Sequence, residues 1–461
     1  MRVLLLRPNS IIIATPVPLG LGYIASALRD RRGDQVEIVD GRNLRWDLST
    51  MRQKIRDFRP DAIGISSINF EMKEAHELAA AAKSEVSVPV IMGGPYASAN
   101  RESVLDDVNV DAAVIGEGEN TIIDIIDAIE AGEDFSDIKG LIVRQDGKAV
   151  FTGERELIDD LDSIEPAWDL INPKAYFKRR GRNSENIVKY DHRTLTVFTS
   201  RGCPYNCIFC HNVFGKKFRP RSPRAVLDEI SLLVDKYGIR ELEIVDDSFN
   251  LNIGRAKEIC QGIIDRNLKL HIAVPNGLRG DRTDEGFIDL LQAAGFYRIA
   301  FAVESASPRV QKIIKKNIDV DKVKWSIEEV ARRGMVATGY FIQGFPTETY
   351  EEMIMTGEWA ANSDLHVASF FYLNPFPGTE VAKMAHQNFT DVNFRDYSTM
   401  SVNISAASNE ELHKANKYAY RKFYLSPKRM ARIAKVVPKN LRTVMNSWLV
   451  LRLLVQDSVN Q

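Results

Sequence analysis

The sequence is short of the features that mark several protein classes. Its 461 residues include only four cysteines, too few for a disulfide framework and typical of a reducing compartment. The formal net charge is −1, which argues against a protein built as a whole to bind nucleic acid. No apolar run approaches the roughly 20 residues of a membrane-spanning helix, and the first residues lack the pattern of a signal peptide. We therefore expect a cytoplasmic protein of two or three domains.

Three of the four cysteines are clustered. Cys203, Cys207 and Cys210 form a C-x3-C-x2-C triplet after an apolar run, Leu195–Thr199, that predicts a buried strand, whereas Cys260 lies in a distant helical pattern. Three thiolates on one loop can hold three irons of a [4Fe-4S] cubane and leave the fourth iron open to a small molecule. The alternative is a structural zinc site, which usually takes four ligands arranged as pairs.

This triplet is the signature of the radical S-adenosylmethionine (radical SAM) enzymes, and the sequence resembles that family. The resemblance implies a [4Fe-4S] cluster on Cys203, Cys207 and Cys210, with S-adenosylmethionine on the open iron. It also implies an electron donor of the flavodoxin or ferredoxin type. One electron from the cluster would then break a carbon–sulfur bond of S-adenosylmethionine. The product, a 5′-deoxyadenosyl radical, needs a dry, closed cavity.

A strand–helix pattern repeats six times in residues 195–385. It predicts a partial (β/α)6 barrel whose functional loops collect at the carboxyl ends of the strands. Ser222-Pro223 and Gly238 are expected to start and end its first helix. The candidate strands are Leu195–Thr199, Glu241–Asp246, Leu270–Val274, Arg298–Val303, Thr338–Ile342 and Ala368–Leu373.

The resemblance implies that loops after these strands cradle S-adenosylmethionine. Phe209 would meet the adenine, and Glu304 would contact the ribose or the amino group. Val303 stands where the family usually has glycine before that glutamate. Three further candidates for this cofactor are Ser305, which is next to Glu304, and Asp247 and Gly344, which follow other strands.

Residues 1–135 alternate short apolar strands with helical stretches. This pattern predicts a doubly wound, Rossmann-like parallel sheet that binds ligands beyond the carboxyl ends of its strands. Glycines and hydroxyl residues at those ends would serve as ordinary turns or as a ligand cradle. Together with Pro18–Ala25, which opens the first helix, they resemble the cobalamin-binding domain that is fused to some radical SAM enzymes. The implied cofactor-binding residues are Ser66, Ser67, Asn69, Gly93, Gly94, Gly116, Glu117 and Gly118.

The cobalamin site departs from one familiar pattern. No Asp-x-His-x-x-Gly triplet follows the first strand, so we expect no histidine on the lower face of cobalt. The loop Ser67–Phe70 is the segment expected to face the cobalt.

Two regions lie outside these domains. Residues 136–194 predict a linker with a β-hairpin around Asp146-Gly147. Residues 386–461 predict a helical C-terminal domain, in which Lys414–Arg442 carries basic and aromatic residues without Asp or Glu. This tail is either a helical cap with a basic outer face or a surface for anionic lipid or an acidic partner, which leaves peripheral membrane contact open.

The sequence therefore predicts a cobalamin-dependent radical SAM methyltransferase that acts on an unactivated carbon or phosphorus of a natural product or lipid. One alternative is a non-methylating member that performs oxidative cyclisation or ring rearrangement. An alternative of another class is a cobalamin sensor with an inactive barrel. An RNA methylthiotransferase is disfavoured because residues 1–135 contain no cysteine for a second cluster. No residue is predicted as a catalytic acid or base.

Overall fold

The computed structural model describes residues 1–10, 16–177, 188–211, 213–385 and 399–437. The final apolar segment, Trp448–Val455, and the basic residues Lys439 and Arg442 lie outside the described residues.

Seven strands of the described chain form the first sheet, in the order β2-β1-β3-β4-β5-β6-β7. The first five strands are parallel, as the sequence predicts. The strands are β1 (Arg2–Arg7), β2 (Gln35–Asp40), β3 (Ala62–Ser66), β4 (Val90–Gly93), β5 (Ala112–Val114), β6 (Leu141–Gln145) and β7 (Lys148–Phe151).

The predicted hairpin completes this sheet. Strand β6 pairs antiparallel with β5 and with β7, and the turn uses positive φ at Asp146 (49°) and Gly147 (76°). The hairpin, which the sequence predicts within the linker, pairs with β5 and so extends the first sheet.

Helices cover both faces of the first sheet, which explains why its strands are apolar without a break. In β1, Leu4 and Leu6 pack on one face while Val3 and Leu5 pack on the other. The helices are α1 (Leu19–Arg32), α2 (Gly41–Leu44), α3 (Leu48–Phe58), α4 (Met72–Glu85), α5 (Gly94–Asn100) and α6 (Glu119–Ala131), with 3₁₀ turns at Asn69–Glu71 and Arg101–Asp106.

The linker lies between the two domains and forms hydrogen bonds to both. The indole Nε1 of Trp168 donates to Glu229 at 2.9 Å on the barrel side, and the hydroxyl of Tyr176 donates to Asp40 at 2.7 Å on the other side. The linker contains α7 (Trp168–Ile171) and 3₁₀ turns at Leu161–Ser163 and Pro173–Tyr176.

The second sheet is the predicted six-stranded partial barrel. Its parallel strands follow the chain in simple succession, β8-β11-β12-β13-β14-β15, and β9 pairs with β10 in a separate ribbon. The strands are β8 (Thr194–Val197), β9 (Ser200–Arg201), β10 (Arg219–Pro220), β11 (Glu241–Ile244), β12 (His271–Leu278), β13 (Phe296–Glu304), β14 (Val336–Gln343) and β15 (Val367–Tyr372).

The predicted ends of the first barrel helix are confirmed. The side chain of Ser222 accepts from the Ala225 N–H as the N-cap, Pro223 is the first helical residue, and Gly238 closes the segment in the left-handed conformation. The helices are α8 (Pro223–Leu232), which continues as a π turn at Leu233–Tyr237, α9 (Ile253–Asp265), α10 (Glu285–Ala293), α11 (Pro308–Ile313), α12 (Val320–Arg332), α13 (Tyr350–Ala361) and α14 (Glu380–Met384), with a 3₁₀ turn at Gly280–Arg282.

Two C-terminal helices, α15 (Asn409–Tyr424) and α16 (Pro427–Val436), close the outer edge of the barrel. The hydroxyls of Tyr420 and Tyr424 each accept a backbone N–H of β15 at 3.1 Å, from Phe370 and Ala368 respectively. A covered edge strand cannot pair with another chain. This arrangement fits the helical-cap interpretation of the tail. Across the ranges that the structure describes, every helix is too short or too polar to cross a membrane.

Arg429 fastens α16 to the barrel. Its guanidinium donates to the carbonyls of Leu365, Ala361 (2.6 Å) and Ser363 (3.1 Å) and lies 3.8 Å from the centroid of the Phe423 ring. Burial lowers the pKa of Arg429 to about 10.

We predict that Arg429→Met lowers the local unfolding free energy of α16 by about 2–4 kcal/mol, because several buried carbonyls lose their donor. Native-state hydrogen exchange of α16 measures this quantity. Arg432→Met is the matched control, since Arg432 forms a partly exposed pair with Asp364 and should change exchange by less than about 1 kcal/mol. Equal effects of the two substitutions would contradict the anchoring role.

Candidate active site between the two sheets

A tight ribbon holds the base of the cysteine loop. Strands β9 and β10 pair through Arg201 and Arg219, so the chain leaves and re-enters the barrel at one point. Gly202 has φ +84°, and a Cβ there would lie 2.2 Å from the Lys217 carbonyl oxygen. Only glycine fits this position, which directly precedes Cys203.

The three thiols of the triplet lie on this loop in different environments. A hydrogen bond from the Cys210 thiol lowers the pKa of Cys207, and the charge of Lys316 acts in the same direction. Loss of hydration raises the pKa of Cys203. Within the described ranges, no three His, Cys, Asp or Glu side chains are gathered closely enough to hold a single metal ion. A cubane takes one thiolate at each of three irons, so it does not require that convergence.

Later segments of the barrel fix the loop from outside. Ile208 donates its N–H to the Ile314 carbonyl at 3.2 Å and accepts from the Val381 N–H at 2.9 Å. The guanidinium of Arg279 lies 4.2 Å from the Tyr205 ring centroid. The loop is therefore part of the packed structure, as a pre-formed cofactor site requires.

Glu304 and Lys316 form a buried ion pair beside the loop. Lys316 Nζ lies 2.7 Å from Glu304 Oε1, and both side chains are more than nine-tenths buried. Glu304 is held at φ +65°, a strained conformation for a residue with a side chain and one that clusters at functional sites. Lys316 Nζ also lies 5.9 Å from the Phe209 ring centroid. The structure thus brings Phe209 and Glu304 together at the loop, and their contact with S-adenosylmethionine stays a prediction.

The other predicted S-adenosylmethionine residues do not all face the cysteine loop. Asp247 lies at the loop base, where it accepts from the Gly202 N–H, and burial raises its pKa. The hydroxyl of Ser305 instead meets Thr356 at 3.3 Å and the Ser307 N–H at 3.2 Å, so it packs into α13. Gly344 (φ +96°) donates its N–H to Glu348 at 2.8 Å. Their contact with the cofactor stays a prediction.

Glu348 supports the loop after β14 through hydrogen bonds to its backbone. Its Oε2 accepts the N–H groups of Gly344 (2.8 Å) and Phe345 (3.0 Å), while its Oε1 is buried without a partner among the described residues. Burial raises the pKa of Glu348 to about 8. The Phe345 ring that this loop presents packs 5.4 Å from the ring of Phe209.

The carboxyl end of the first sheet holds a half-open cavity of about 140 Å³. Ser67, Ile68 and Glu71 line it on one side and the start of α1 on the other. Ser67 is 2% exposed, and its Oγ has no hydrogen-bond partner in the described chain. A buried hydroxyl without a partner beside a cavity fits a polar group of the expected cobalamin, most of which would extend outside a cavity of this size.

Most other predicted cobalamin residues surround this end of the sheet. Gly94 has φ +87°, and a Cβ there would lie 2.8 Å from Ser66 Oγ. Asn69 accepts from the side chain of Asn100 at 2.8 Å. Gly93 and Gly118 directly precede α5 and α6. Both carboxylate oxygens of Glu117, in contrast, are taken by protein donors, two arginines and the Ile158 N–H.

The two candidate cofactor sites face each other. Phe70 of the first domain meets the ring of Phe376 at 5.6 Å, and Phe376 in turn lies 5.5 Å from the ring of His211, the residue after Cys210. A Cβ on Gly116 would lie 3.7 Å from the carbonyl of Val213 in the cysteine loop. A ligand on the first sheet would therefore look toward the thiols.

Two family comparisons cover the two domains. Residues 14–126 match the B12 binding domain, and residues 197–360 match the radical SAM superfamily. The chain is also 33% identical to an uncharacterized methyltransferase of Pyrococcus horikoshii over 93% of each protein. The chain belongs to the cobalamin-binding radical SAM enzymes.

A second relative and a solved structure agree with this assignment. The chain is 32% identical to cytidylyl-2-hydroxyethylphosphonate methyltransferase of Streptomyces wedmorensis, over 85% of this chain and 83% of the relative. Its fold matches the radical SAM methyltransferase TsrM of Kitasatospora setae with a TM-score of 0.74, at 21% identity, over 95% and 91% of the two chains. The predicted family, fold class and cofactor classes are confirmed, and the relatives support methyltransferase chemistry.

Sequence reasoning missed the charged residues that flank the site. Arg201 and Arg219 are buried at the loop base and pair with Glu117 and Glu119 of the first domain. The buried pair of Lys316 with Glu304 was not predicted either. The available signal was the position of each arginine at one end of the cysteine loop, opposite two acidic residues in Gly116–Glu119.

We predict that two glycine substitutions separate the cofactors. Gly202→Ala should weaken cluster binding roughly 10–100-fold, because its Cβ collides with backbone behind Cys203. Gly94→Ala should weaken cobalamin binding about tenfold, because overpacking displaces Ser66 and Ser67. Iron, sulfide and cobalt analysis of anaerobically reconstituted protein measures both.

Each glycine variant is the control for the other. Gly202→Ala should keep its cobalamin and Gly94→Ala its iron. Loss of both cofactors from either variant would show a general folding defect and would contradict the assignment of separate sites.

We predict that Glu348 makes stability fall as pH rises. Its pKa is about 8 in the folded protein against an ordinary value of 4.5, so between these values the folded chain holds a proton that the unfolded chain lacks. The contribution is complete below pH 4.5 and is lost as pH rises through 8, with a slope of about 1.4 kcal/mol per pH unit. Glu348→Gln should remove this slope, as measured by thermal unfolding from about pH 6 to 9.

Glu352→Gln provides the comparison. Pairing with Arg309 lowers the pKa of Glu352 to about 2, so its contribution is constant across the same window. That variant should shift all midpoints by a similar amount and keep the slope. An unchanged slope in Glu348→Gln would refute the raised pKa.

Proposed function

We propose that the protein transfers a methyl group from cobalamin to a small-molecule substrate held between the two domains. The observation that carries the proposal is the opposition of the Ser67 cavity and the cysteine loop across Phe70 and Phe376. When bound, the cofactors supply a transferable methyl group on cobalt and a radical generated from S-adenosylmethionine at the cluster. The named functions of two relatives as methyltransferases support this choice.

The chain's own residues would bind and orient the cofactors. The Lys316–Glu304 pair places a fixed cation and a carboxylate beside the thiols. The methionine part of S-adenosylmethionine carries a carboxylate and an amino group, which such a pair can recognise. The rings of Phe209 and Phe345 offer apolar surface for a base. The contact between Phe376 and Phe70 places apolar rings at the gap between the domains, where a reactive radical needs protection from water.

The barrel lumen suggests an anionic or polar small molecule as substrate. Arg298 and Thr338 lie on the inner face of adjacent strands, and the guanidinium donates to Thr338 at 3.2 Å and to the Tyr340 hydroxyl at 3.4 Å. Its Nη1 is buried without a partner among the described residues. A cation with a donor to spare can orient a carboxylate or phosphonate.

We further propose an acidic electron donor of the flavodoxin or ferredoxin type. Lys216 and Lys217 are exposed beside the cysteine loop and give an approaching donor a complementary charge close to the cluster. Peripheral membrane contact has less support, because Tyr420, Phe423 and Tyr424 of the basic tail pack against the barrel.

The function predicts two products in an anaerobic assay with reconstituted enzyme, reductant and S-adenosylmethionine. Methyl transfer yields S-adenosylhomocysteine, and radical formation yields 5′-deoxyadenosine. A cobalamin sensor would form neither, and a ring-forming enzyme would form 5′-deoxyadenosine alone. Cytidylyl-2-hydroxyethylphosphonate is a suitable first substrate to supply, because a relative is named for it.

Adjacent lysines provide the matched variants for this assay. Lys316→Met should lower 5′-deoxyadenosine formation at least about tenfold, because Glu304 is left as a buried charge without a partner. Lys315→Met should retain activity, since Lys315 makes an exposed pair with Glu380. Equal activity of the two variants would remove the proposed role of the buried pair.

A further inference from the structure

Arg201 connects the two domains at the root of the cysteine loop. It lies in β9, directly before Gly202 and Cys203, and is 4% exposed. Its Nη1 donates to Glu117 Oε1 at 2.9 Å and its Nη2 donates to Glu119 Oε1 at 2.6 Å. Both acceptors belong to the first domain, more than 80 residues earlier in the chain. The residue that begins the cluster loop is thus bonded to the cobalamin-binding domain.

A second arginine repeats the connection from the other end of the loop. Arg219 of β10 is 2% exposed, and its Nη1 donates to Glu117 Oε2 at 2.8 Å. It also bonds the carbonyl of Phe214 at 2.8 Å, inside the segment that follows the cysteines. Glu117 therefore joins both strands of the ribbon, since each of its oxygens receives one arginine.

Two aromatic rings lie close to the Arg201 guanidinium. The carbon of the Arg201 guanidinium lies 4.7 Å from the ring centroid of Tyr23 in α1 and 5.2 Å from that of Phe214. Tyr23 comes from the first domain and Phe214 from the barrel. Stacking between two rings fixes the plane of the guanidinium as well as its position.

The four charges balance only when the domains are together. Two arginines and two glutamates sum to zero, and each is at least nine-tenths buried. A slight displacement of the domains would leave these charges buried without their partners, so the closed arrangement is preferred over a slightly displaced one. The pKa of Glu117 is lowered although burial opposes ionisation, because the Arg219 hydrogen bond and the charge of Arg201 outweigh that opposition.

The remaining contacts across this face are less directional. Gly116 packs near the carbonyl of Val213, Gly378 packs on the backbone of Ala99, and Phe70 meets Phe376 through ring surfaces. Such contacts allow small sliding movements, whereas a bidentate pattern of charged hydrogen bonds defines one register.

We propose that Arg201, Arg219, Glu117 and Glu119 form an interdomain charge lock that sets the separation and orientation of the cobalamin and cluster sites. Arg201 is the main positioning residue, because it precedes the first cysteine and carries two of the bonds to the first domain. The lock concerns the placement of the two sites and does not depend on whether the transferred group is methyl.

The first test is hydrogen exchange of the 461-residue chain before cofactor loading. In Arg201→Met, amides of residues 116–121 and of β9 should exchange at least about tenfold faster than in the wild type, because the lock is their main restraint. Arg29→Met is the matched control, since Arg29 makes a bidentate but exposed pair with Asp169 of the linker. The control should leave exchange at those sites within roughly twofold of wild type.

The second test measures geometry in the reconstituted enzyme. Magnetic coupling between Co(II) and the reduced cluster, read by electron paramagnetic resonance, should change in Arg201→Met and stay as in the wild type in Arg29→Met. A residue that only contributed to stability would lower the melting temperature without changing this coupling in the folded fraction.

Milder variants keep the proposal open to refutation if Arg201→Met does not fold. Glu119→Gln removes one charge and preserves the shape, so it should give a smaller change of the same kind in both readouts. Arg201→Lys should restore part of the wild-type coupling but not the bidentate restraint. Wild-type exchange and coupling in Glu119→Gln together with Arg201→Lys would overturn the lock.

Discussion

The carboxyl ends of the parallel strands of the two sheets face each other in this protein, and the rest of the site depends on that opposition. Parallel sheets gather their functional loops at one edge because every crossover returns to the same end. The first sheet presents Ser67 and its glycine turns at this edge, and the barrel presents the three cysteines. The rings of Phe70, Phe376 and His211 lie between them. A reaction that uses both edges would therefore take place between the two domains.

Charge is used sparingly within this space and is nearly always paired. Lys316 and Glu304 are buried together beside the thiols, and the arginines at the ribbon are matched by glutamates of the other domain. An isolated buried charge costs free energy, so these charges are buried only in pairs. Each pair also fixes the relative position of the two segments that it joins. Several buried polar atoms have no partner in the described chain, among them the hydroxyl of Ser67, the Oε1 of Glu348 and the Nη1 of Arg298. The Ser67 hydroxyl lies beside a cavity and is therefore a candidate for contact with a ligand.

Much of the fold could be predicted from the sequence because its information is local. Uninterrupted apolar strands between amphipathic helices predicted both parallel sheets, and Ser222-Pro223 with Gly238 predicted a helix that the structure confirms. The spacing of Cys203, Cys207 and Cys210 likewise needs no tertiary information. The hairpin at Asp146-Gly147 was recognised, but its pairing with β5 was not, since pairing between distant segments leaves no local pattern.

The site was harder to predict for the same reason. Ser305 follows a barrel strand and so was expected at the cofactor, yet its hydroxyl turns into α13 to meet Thr356. The alternation along a strand end does not determine where a side chain points once the chain leaves the sheet. Arg201 and Glu117 lie 84 residues apart in the sequence, and only the folded protein brings them within 2.9 Å.

Anomalous X-ray scattering from crystals grown without oxygen, recorded at the iron and cobalt absorption edges, tests the central claim most directly. The account predicts an iron peak at Cys203, Cys207 and Cys210 and a cobalt peak beyond Ser67, on the side of the first sheet that faces those cysteines. A cobalt peak elsewhere on the first domain, or iron bound away from the triplet, would contradict it.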